Sequence, residues 1–368
     1  MTDIALVLVA ASGGGAERAM IGVMNSLVKT GLKIDVVVVR KTGPFLGEID
    51  PAIRVVDLGA GKVRKMLLPL AGYVKREKPT LIVSALTATD PFVLIGKALF
   101  RWKSKVHISV QNAPTASAVS DDFYFRIWPR VIRWFYRFAE SLNAISAGVG
   151  RDVERLTGKP EGSIAVIHNP VDIPRAAAMA AERPSHPWLA DKTEPVLLAV
   201  GRLTMQKDFP TLLRAHAKLR ATRPVRLVIL GEGEDRVSLE ALAGELGTAE
   251  SVAMPGFDAN PFAAMAAADV FVLSSRWEGF ANVVAEALAC GTRVVSTDCP
   301  SGPAEILENG RYGTLVPIQH VEALADAMGA AIDAPVDRDA LRARANDFAL
   351  ERIAAQYDAM FRERGLIG

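Results

Sequence analysis

The chain has 368 residues, of which 50% are hydrophobic and 23% charged, with a formal net charge of +2. That composition excludes a disordered or fibrous chain, and at about 150 residues per domain the length holds two domains, each with its own core. The near-neutral total hides a split: residues 1–150 carry 20 Lys/Arg against 11 Asp/Glu, and residues 151–368 carry 23 against 30.

Taken in chain order, apolar runs at residues 4–10, 34–40, 81–85, 106–110, 142–146 and 164–167 predict strands. Further runs follow at 196–200, 227–230, 270–274 and 293–296. Most are near-continuous Val/Ile/Leu, as in strands buried on both faces of a parallel sheet. Segments of helical period at 16–30, 211–220, 237–246 and 282–289 lie between them. This is a doubly wound α/β pattern, present twice. The turn-rich HNPVDIP at 168–174 and three prolines across 183–195 put the seam near 170–195. One sheet then falls within about 1–170 and the other within about 190–335, and a last helix-like stretch covers 341–365.

The apolar run at 4–11 follows Asp3 and ends in glycines, so it reads as a strand and not as a signal peptide. No window approaches the ~18 consecutive apolar residues of a membrane-spanning helix. A cytoplasmic protein is expected. Cys290 and Cys299 lie in an apolar stretch without metal-ligand spacing and read as small buried residues.

Three constellations could carry chemistry. Gly13-Gly14-Gly15 follow the first strand and precede a helix, where backbone N–H groups favour a phosphate, although the spacing is not that of a dinucleotide fingerprint. Arg202 and Lys207 sit on one loop after the strand at 196–200 and form a candidate diphosphate clamp. Glu278 precedes a glycine turn between strand and helix. Glu286 lies one turn into that helix on an apolar face, where a carboxylate needs a partner or ligand hydroxyls.

At this point the chain resembles a family 4 retaining glycosyltransferase of the GT-B fold. The matching strings are GRLTMQKDFPTLLRA (201–215), LGEGEDR (230–236), PGF (255–257), the stretch 267–307 and RYGTLVP (311–317), with the family's E-x7-E present as Glu278 and Glu286. The resemblance implies an α/β architecture of two facing Rossmann-like domains with the active site in the interdomain cleft. It implies an N-terminal acceptor and membrane-side domain at 1–170, a donor domain at 171–350, and a helix at 351–368 returning to the first domain. Arg202 and Lys207 match the pair that neutralises the donor diphosphate in place of a metal. Gly13 and Gly14 match the loop approaching the donor phosphates, Glu286 the ribose carboxylate and Glu278 the carboxylate at the transferred sugar. Gly279, Phe280, Ala281 and Asn282 supply backbone N–H groups, and Gly231 with the Gly256–Phe257 turn borders the base. The implied donor is a UDP-sugar, with no other cofactor and no metal, although GDP donors occur in the family. Asp337-Arg338-Asp339 precedes a helix and reads as a cap, not as a metal motif.

Many relatives carry a histidine after the fourth N-domain strand. Here the stretch is Val110-Gln111-Asn112-Ala113-Pro114, so Gln111 and Asn112 are the acceptor-side candidates, while His107 and His168 read as structural. Residues 123–138 hold eight aromatics and four arginines, with FRWKSK at 100–105 nearby, which predicts contact with an anionic membrane at its cytoplasmic face. A lipid-linked glycan acceptor fits that surface. No nucleic-acid module is present, so nucleic acid is not an expected partner. Competing readings are another nucleotide-sugar enzyme such as an epimerase, and a silent membrane-bound scaffold with the same fold.

Overall fold

The computed structural model describes residues 2–11, 14–117 and 133–368. The chain divides into two compact units, Met1–Pro170 with Leu350–Gly368, and Val171–Ala349.

Among its described residues the first unit carries a seven-stranded parallel sheet in the order β3-β2-β1-β4-β5-β6-β7. Its strands are β1 (Ile4–Leu8), β2 (Ile34–Val38), β3 (Arg54–Asp57), β4 (Leu81–Ser84), β5 (Lys105–Val110), β6 (Ser141–Ala144) and β7 (Ala165–Val166). Every residue of β1, β2 and β4 is buried, which is why these strands read as near-continuous apolar runs without alternation, broken only by Asp35 and Ser84. The helix Gly15–Val28 packs Met20, Ile21, Val23, Met24 and Leu27 into that core. The helix Leu350–Glu363 closes the same core with Ile353, Tyr357, Met360 and Phe361.

The second unit holds a six-stranded parallel sheet in the order β10-β9-β8-β11-β12-β13. Here β8 is Val196–Val200, β9 Arg226–Leu230, β10 Val252–Gly256, β11 Val270–Leu273, β12 Val294–Thr297 and β13 Thr314–Val316. Two of the helices that cover it are Phe209–Arg220 and Val321–Asp333, which bury Leu212, Leu213, Leu324 and Met328.

The stretch expected as one helix over 341–365 is broken. A helix at Arg338–Ala345 ends in a 3-10 turn at Asn346–Phe348, and Leu350–Glu363 begins anew. The break lets Val171 N–H donate to Phe348 O at 2.8 Å, so the second unit's two chain ends pair side by side. Asp337 caps its helix by accepting from Ala340 N–H at 2.9 Å. Among the described residues no helix is long and apolar enough to cross a membrane.

Candidate functional site

The second sheet reverses its order at β8: β9 and β10 lie on one side of it, and β11 to β13 on the other. Loops leaving the carboxyl ends of β8 and β11 therefore diverge, which is where open α/β sheets hold ligands. The loop after β8 runs through Gly201 and Arg202 into a 3-10 turn, Met205–Lys207. The loop after β11 carries residues 274–281 into the helix Asn282–Ala289.

The two loops are joined by hydrogen bonds. Ser274 Oγ donates to Lys207 O at 2.6 Å, Arg276 N–H to Gln206 O at 2.9 Å, and Gln206 Nε2 to Trp277 O at 2.9 Å. Arg276 Nη2 also donates to Asp208 Oδ1 at 3.0 Å, and Asp208 Oδ2 accepts from Thr211 Oγ1 at 2.8 Å. Asp208 is buried in this arrangement, its carboxylate satisfied by a guanidinium and a hydroxyl.

Lys207 Nζ lies 2.6 Å from Glu278 Oε1, and Ser275 Oγ donates to the same oxygen at 2.6 Å. Glu278 is 7% exposed, so its charge is tolerated because it is paired and hydrogen-bonded. Thr297 Oγ1 donates to Ser275 O at 2.6 Å and fixes the loop from β12. Gly302, at φ +92, lets the Cys299–Pro303 stretch press on the turn: a Cβ there would meet Phe280 O at 2.3 Å. Gly279 and Phe280 are buried beneath that stretch. Ala281 stands at the helix start with φ 71, so it is the left-handed residue that turns the chain into the helix opened by Asn282. Glu286 is half-buried on that helix. Arg202 is exposed, and its side chain makes no ion pair or hydrogen bond among the described residues.

Two further loops border this crevice. Gly201 N–H donates to Leu230 O at 3.0 Å, and Gly231 N–H to Gly256 O at 2.8 Å, which brings the ends of β8, β9 and β10 together. Gly231 has φ +140, and a Cβ on it would lie 2.0 Å from Gly201 O, so glycine is required there. Phe257, just after β10, is 77% exposed. Arg202, Lys207, Gly231, Phe257, Glu278, Gly279, Phe280, Ala281, Asn282 and Glu286 thus all lie on loops, or the first turns of a helix, at the carboxyl edge of one sheet. Arranged so, two cations and a set of helix-start N–H groups suit a diphosphate, and the carboxylates suit hydroxyl-rich groups.

The remaining candidates belong to the first unit. Gly13 lies outside the described residues, as do residues 118–132, which take most of the aromatic and arginine-rich stretch. Gly14 caps the helix Gly15–Val28, and its N–H donates to Glu17 Oε2 at 2.7 Å. A chain carboxylate therefore occupies the donor that the glycines were expected to offer a phosphate, a feature the glycine run alone did not reveal. Gln111 is buried, donating through Nε2 to Ser109 Oγ at 3.1 Å and accepting at Oε1 from Asn169 Nδ2 at 3.0 Å. Asn112 is exposed. His107 is fully buried against Asn143 Oδ1 at 2.9 Å, and burial lowers its pKa to about 3. Burial also raises the Cys290 thiol to about 12 and pushes Cys299 higher still, so both are inert packing residues.

Sequence reasoning overlooked Gln206, Asp208 and Ser275, which hold Lys207 and Glu278 in place. The signal available was a buried-type run broken by polar residues at strand ends, but the pairing across two distant loops is a tertiary fact.

Two family profiles match in succession: "Glycosyltransferase Family 4" over residues 13–175 and "Glycosyl transferases group 1" over residues 182–348. A Campylobacter jejuni N-acetylgalactosamine-N,N'-diacetylbacillosaminyl-diphospho-undecaprenol 4-alpha-N-acetylgalactosaminyltransferase is 31% identical over 229 residues, covering 62% of this chain and 60% of that protein. A lipopolysaccharide core biosynthesis glycosyltransferase of Rhizobium meliloti is 29% identical over 352 residues, covering 94% of this chain and 92% of that one. Among solved structures, Anabaena HepE in complex with UDP-glucose superposes with a TM-score of 0.83 at 19% identity, covering 99% of this chain and 100% of that chain.

Proposed function

The chain belongs to the glycosyltransferases of the group 1 and family 4 type with the GT-B fold, and from that premise we propose that it transfers a hexose or N-acetylhexosamine from a UDP-sugar. The acceptor is a lipid-linked or growing glycan of bacterial capsule, lipopolysaccharide or exopolysaccharide. The activities named for the Campylobacter and Rhizobium relatives support that acceptor class, and the UDP-glucose held by the Anabaena protein supports the donor.

The observation that carries the reading is the Lys207–Glu278 pair at 2.6 Å, with the exposed Arg202 on the same loop as Lys207. Cleaving the anomeric bond leaves negative charge on the departing diphosphate. Arg202, Lys207 and the N–H groups of Gly279 to Asn282 receive that charge, which lowers the barrier without a metal ion. Glu286 accepts the ribose hydroxyls, Glu278 the hydroxyls of the transferred sugar, and Gly231 with Phe257 borders the base. The acceptor oxygen attacks the face from which the diphosphate leaves, a phosphate oxygen takes its proton, and the anomeric configuration is retained. Gln111 and Asn112 remain the acceptor-side candidates, and Gly14 can serve a phosphate only where Glu17 releases its N–H. The enzyme works at the cytoplasmic face of the membrane, where its lipid-linked acceptor resides.

A thermal-shift series with UDP, GDP, ADP and NAD, each with and without EDTA, tests the donor. At about 100 times its dissociation constant a ligand stabilises by about 2.7 kcal/mol. A shift with UDP alone that survives EDTA is expected. A shift with GDP alone would change the donor, and a shift with none would overturn the reading. The anomeric proton coupling of the product then reports retention or inversion.

A further inference from the structure

The first unit carries a groove of its own. It has a volume of about 740 Å³ and is walled by the end of the helix Leu67–Glu77, the end of the helix Asp90–Phe100 and the starts of β4 and β5. It therefore opens at the amino edge of the first sheet, whereas Gly14 and Gln111 follow strand carboxyl ends.

The groove combines two chemistries. Its floor is apolar: Ala71, Val74, Pro79, Phe100 and Trp102 line it. Phe100 and Trp102 stack with ring centroids 6.3 Å apart, and the Trp102 ring lies so close to Gly96 that a Cβ there would sit 2.2 Å from it. Phe100 itself is 39% exposed, so part of this apolar lining faces solvent. The walls are cationic: Lys75, Lys78, Lys103 and Lys105 line them.

These charges are not neutralised locally. Between residues 62 and 105 the chain has ten Lys/Arg and two Asp/Glu. Both acids are engaged elsewhere, Glu77 with Arg54 at 2.8 Å and the buried Asp90 with Ser84 at 2.6 Å. The nearby Glu140 pairs with Lys97 at 2.6 Å. Lys105 donates to Gly365 O. The side chains of Lys75, Lys78 and Lys103 make no ion pair or hydrogen bond among the described residues.

We propose that this groove binds an anionic phospholipid of the membrane surface, the headgroup phosphate among Lys75, Lys78 and Lys103 and the glycerol and upper acyl carbons along Phe100, Trp102 and Val74. An apolar floor bordered by unpaired ammonium groups is complementary to an anionic amphiphile, and neither a neutral lipid nor an acidic peptide uses both halves of it. The inference rests on the reading that the chain works at a membrane, and gives that contact a specific seat on described residues.

Flotation of the full chain with phosphatidylcholine vesicles, with and without about 30% phosphatidylglycerol, tests it. The wild type is expected to float with the anionic vesicles and to lose binding as salt rises. The variant K75E/K78E/K103E is expected to bind at least tenfold less well. K62E/R64E/K65E changes the net charge equally outside the groove and is expected to stay within about threefold of wild type, since charge near the surface acts over about a Debye length. An unchanged UDP thermal shift in both variants reports an intact fold and donor site. If the two triple variants lose binding equally, the groove is not the seat, although the membrane reading stands. If the wild type ignores anionic vesicles, both the membrane reading and this inference fall.

Discussion

Lys207 Nζ and Glu278 Oε1 are 2.6 Å apart, and the two residues belong to loops from neighbouring strands, β8 and β11. The cation assigned to the diphosphate is thus already engaged by the carboxylate assigned to the sugar. A donor that draws Lys207 toward its phosphates must break or share this pair.

Glu278→Gln follows directly. The amide keeps an acceptor for Ser275 Oγ but removes the charge that holds Lys207. UDP affinity is expected to stay equal or to rise, while transfer falls by roughly 100-fold or more, the scale of losing one electrostatic contact in a transition state. Calorimetry with UDP beside turnover with a UDP-sugar separates the two. Loss of UDP binding would remove Glu278 from the sugar role. Lys207→Ala behaves differently, because it leaves a carboxylate that is 7% exposed without its cation. A loss of about 3 kcal/mol in urea denaturation is expected.

Gly231→Ala tests the close approach of β8 and β9 at their carboxyl ends. The residue sits at φ +140, and the new Cβ would meet Gly201 O at 2.0 Å, a backbone atom that cannot swing away. The strand ends must separate, which moves Arg202 on the adjoining loop. A stability loss of about 2–4 kcal/mol is expected from this clash and strain, with weaker UDP binding in the thermal-shift assay. Wild-type behaviour in both would show that the turn re-forms freely.

The strands hidden in the sequence share one physical trait, although β7, an edge strand as well, was read. The ten predicted runs all correspond to strands, whereas β3, β10 and β13 went unread. Each of these three closes an edge of its sheet. Their residues are partly exposed, as in Arg54–Asp57, so no unbroken apolar run marks them. The break between Ala345 and Leu350 was hidden for a related reason: a 3-10 turn with buried Phe348 preserves the apolar period across it. At the candidate site the glycines and charged residues were legible because they interrupt apolar runs at strand ends. What was not legible is pairing at long range, such as Gln111 with Asn169, Gln206 with Trp277 and Ser274 with Lys207.

A buried polar network ties the closing helix to the first sheet. Tyr357 Oη lies 2.9 Å from Ser109 Oγ and accepts from Asn143 Nδ2 at 3.3 Å, while Asn143 Oδ1 meets His107 Nε2 at 2.9 Å. Tyr357→Phe keeps the ring packing against Phe361 but leaves the Ser109 and Asn143 groups short of a partner. A loss of about 1–3 kcal/mol is expected, the cost of stranding a buried polar group. Urea midpoints measure it, and no change would mean that a water replaces the hydroxyl.

Asp90 supplies a pH signature. It is fully enclosed at the start of the helix Asp90–Phe100, and burial raises its pKa to about 7 despite hydrogen bonds from Ser84 and Tyr136. Unfolded, the carboxyl titrates near 4. The folded state therefore holds a proton that the unfolded state has released, so Asp90's contribution is full below about pH 4 and is lost as pH rises through about 7. His107 and His216 act in the opposite sense. Burial lowers them to about 3 and about 4, so their contribution is lost as pH falls below their unfolded value of about 6.5. The wild-type profile superposes these trends, and Asp90→Asn isolates one of them. Relative to that variant, the wild type is expected to lose up to about 1.4 kcal/mol per pH unit between pH 5 and 7, read from urea midpoints. The asparagine can still accept from Ser84, so the offset between the two proteins at pH 5 should be small and should open as pH rises. An offset that stays constant from pH 5 to pH 8 would mean that the buried carboxyl does not titrate in this range.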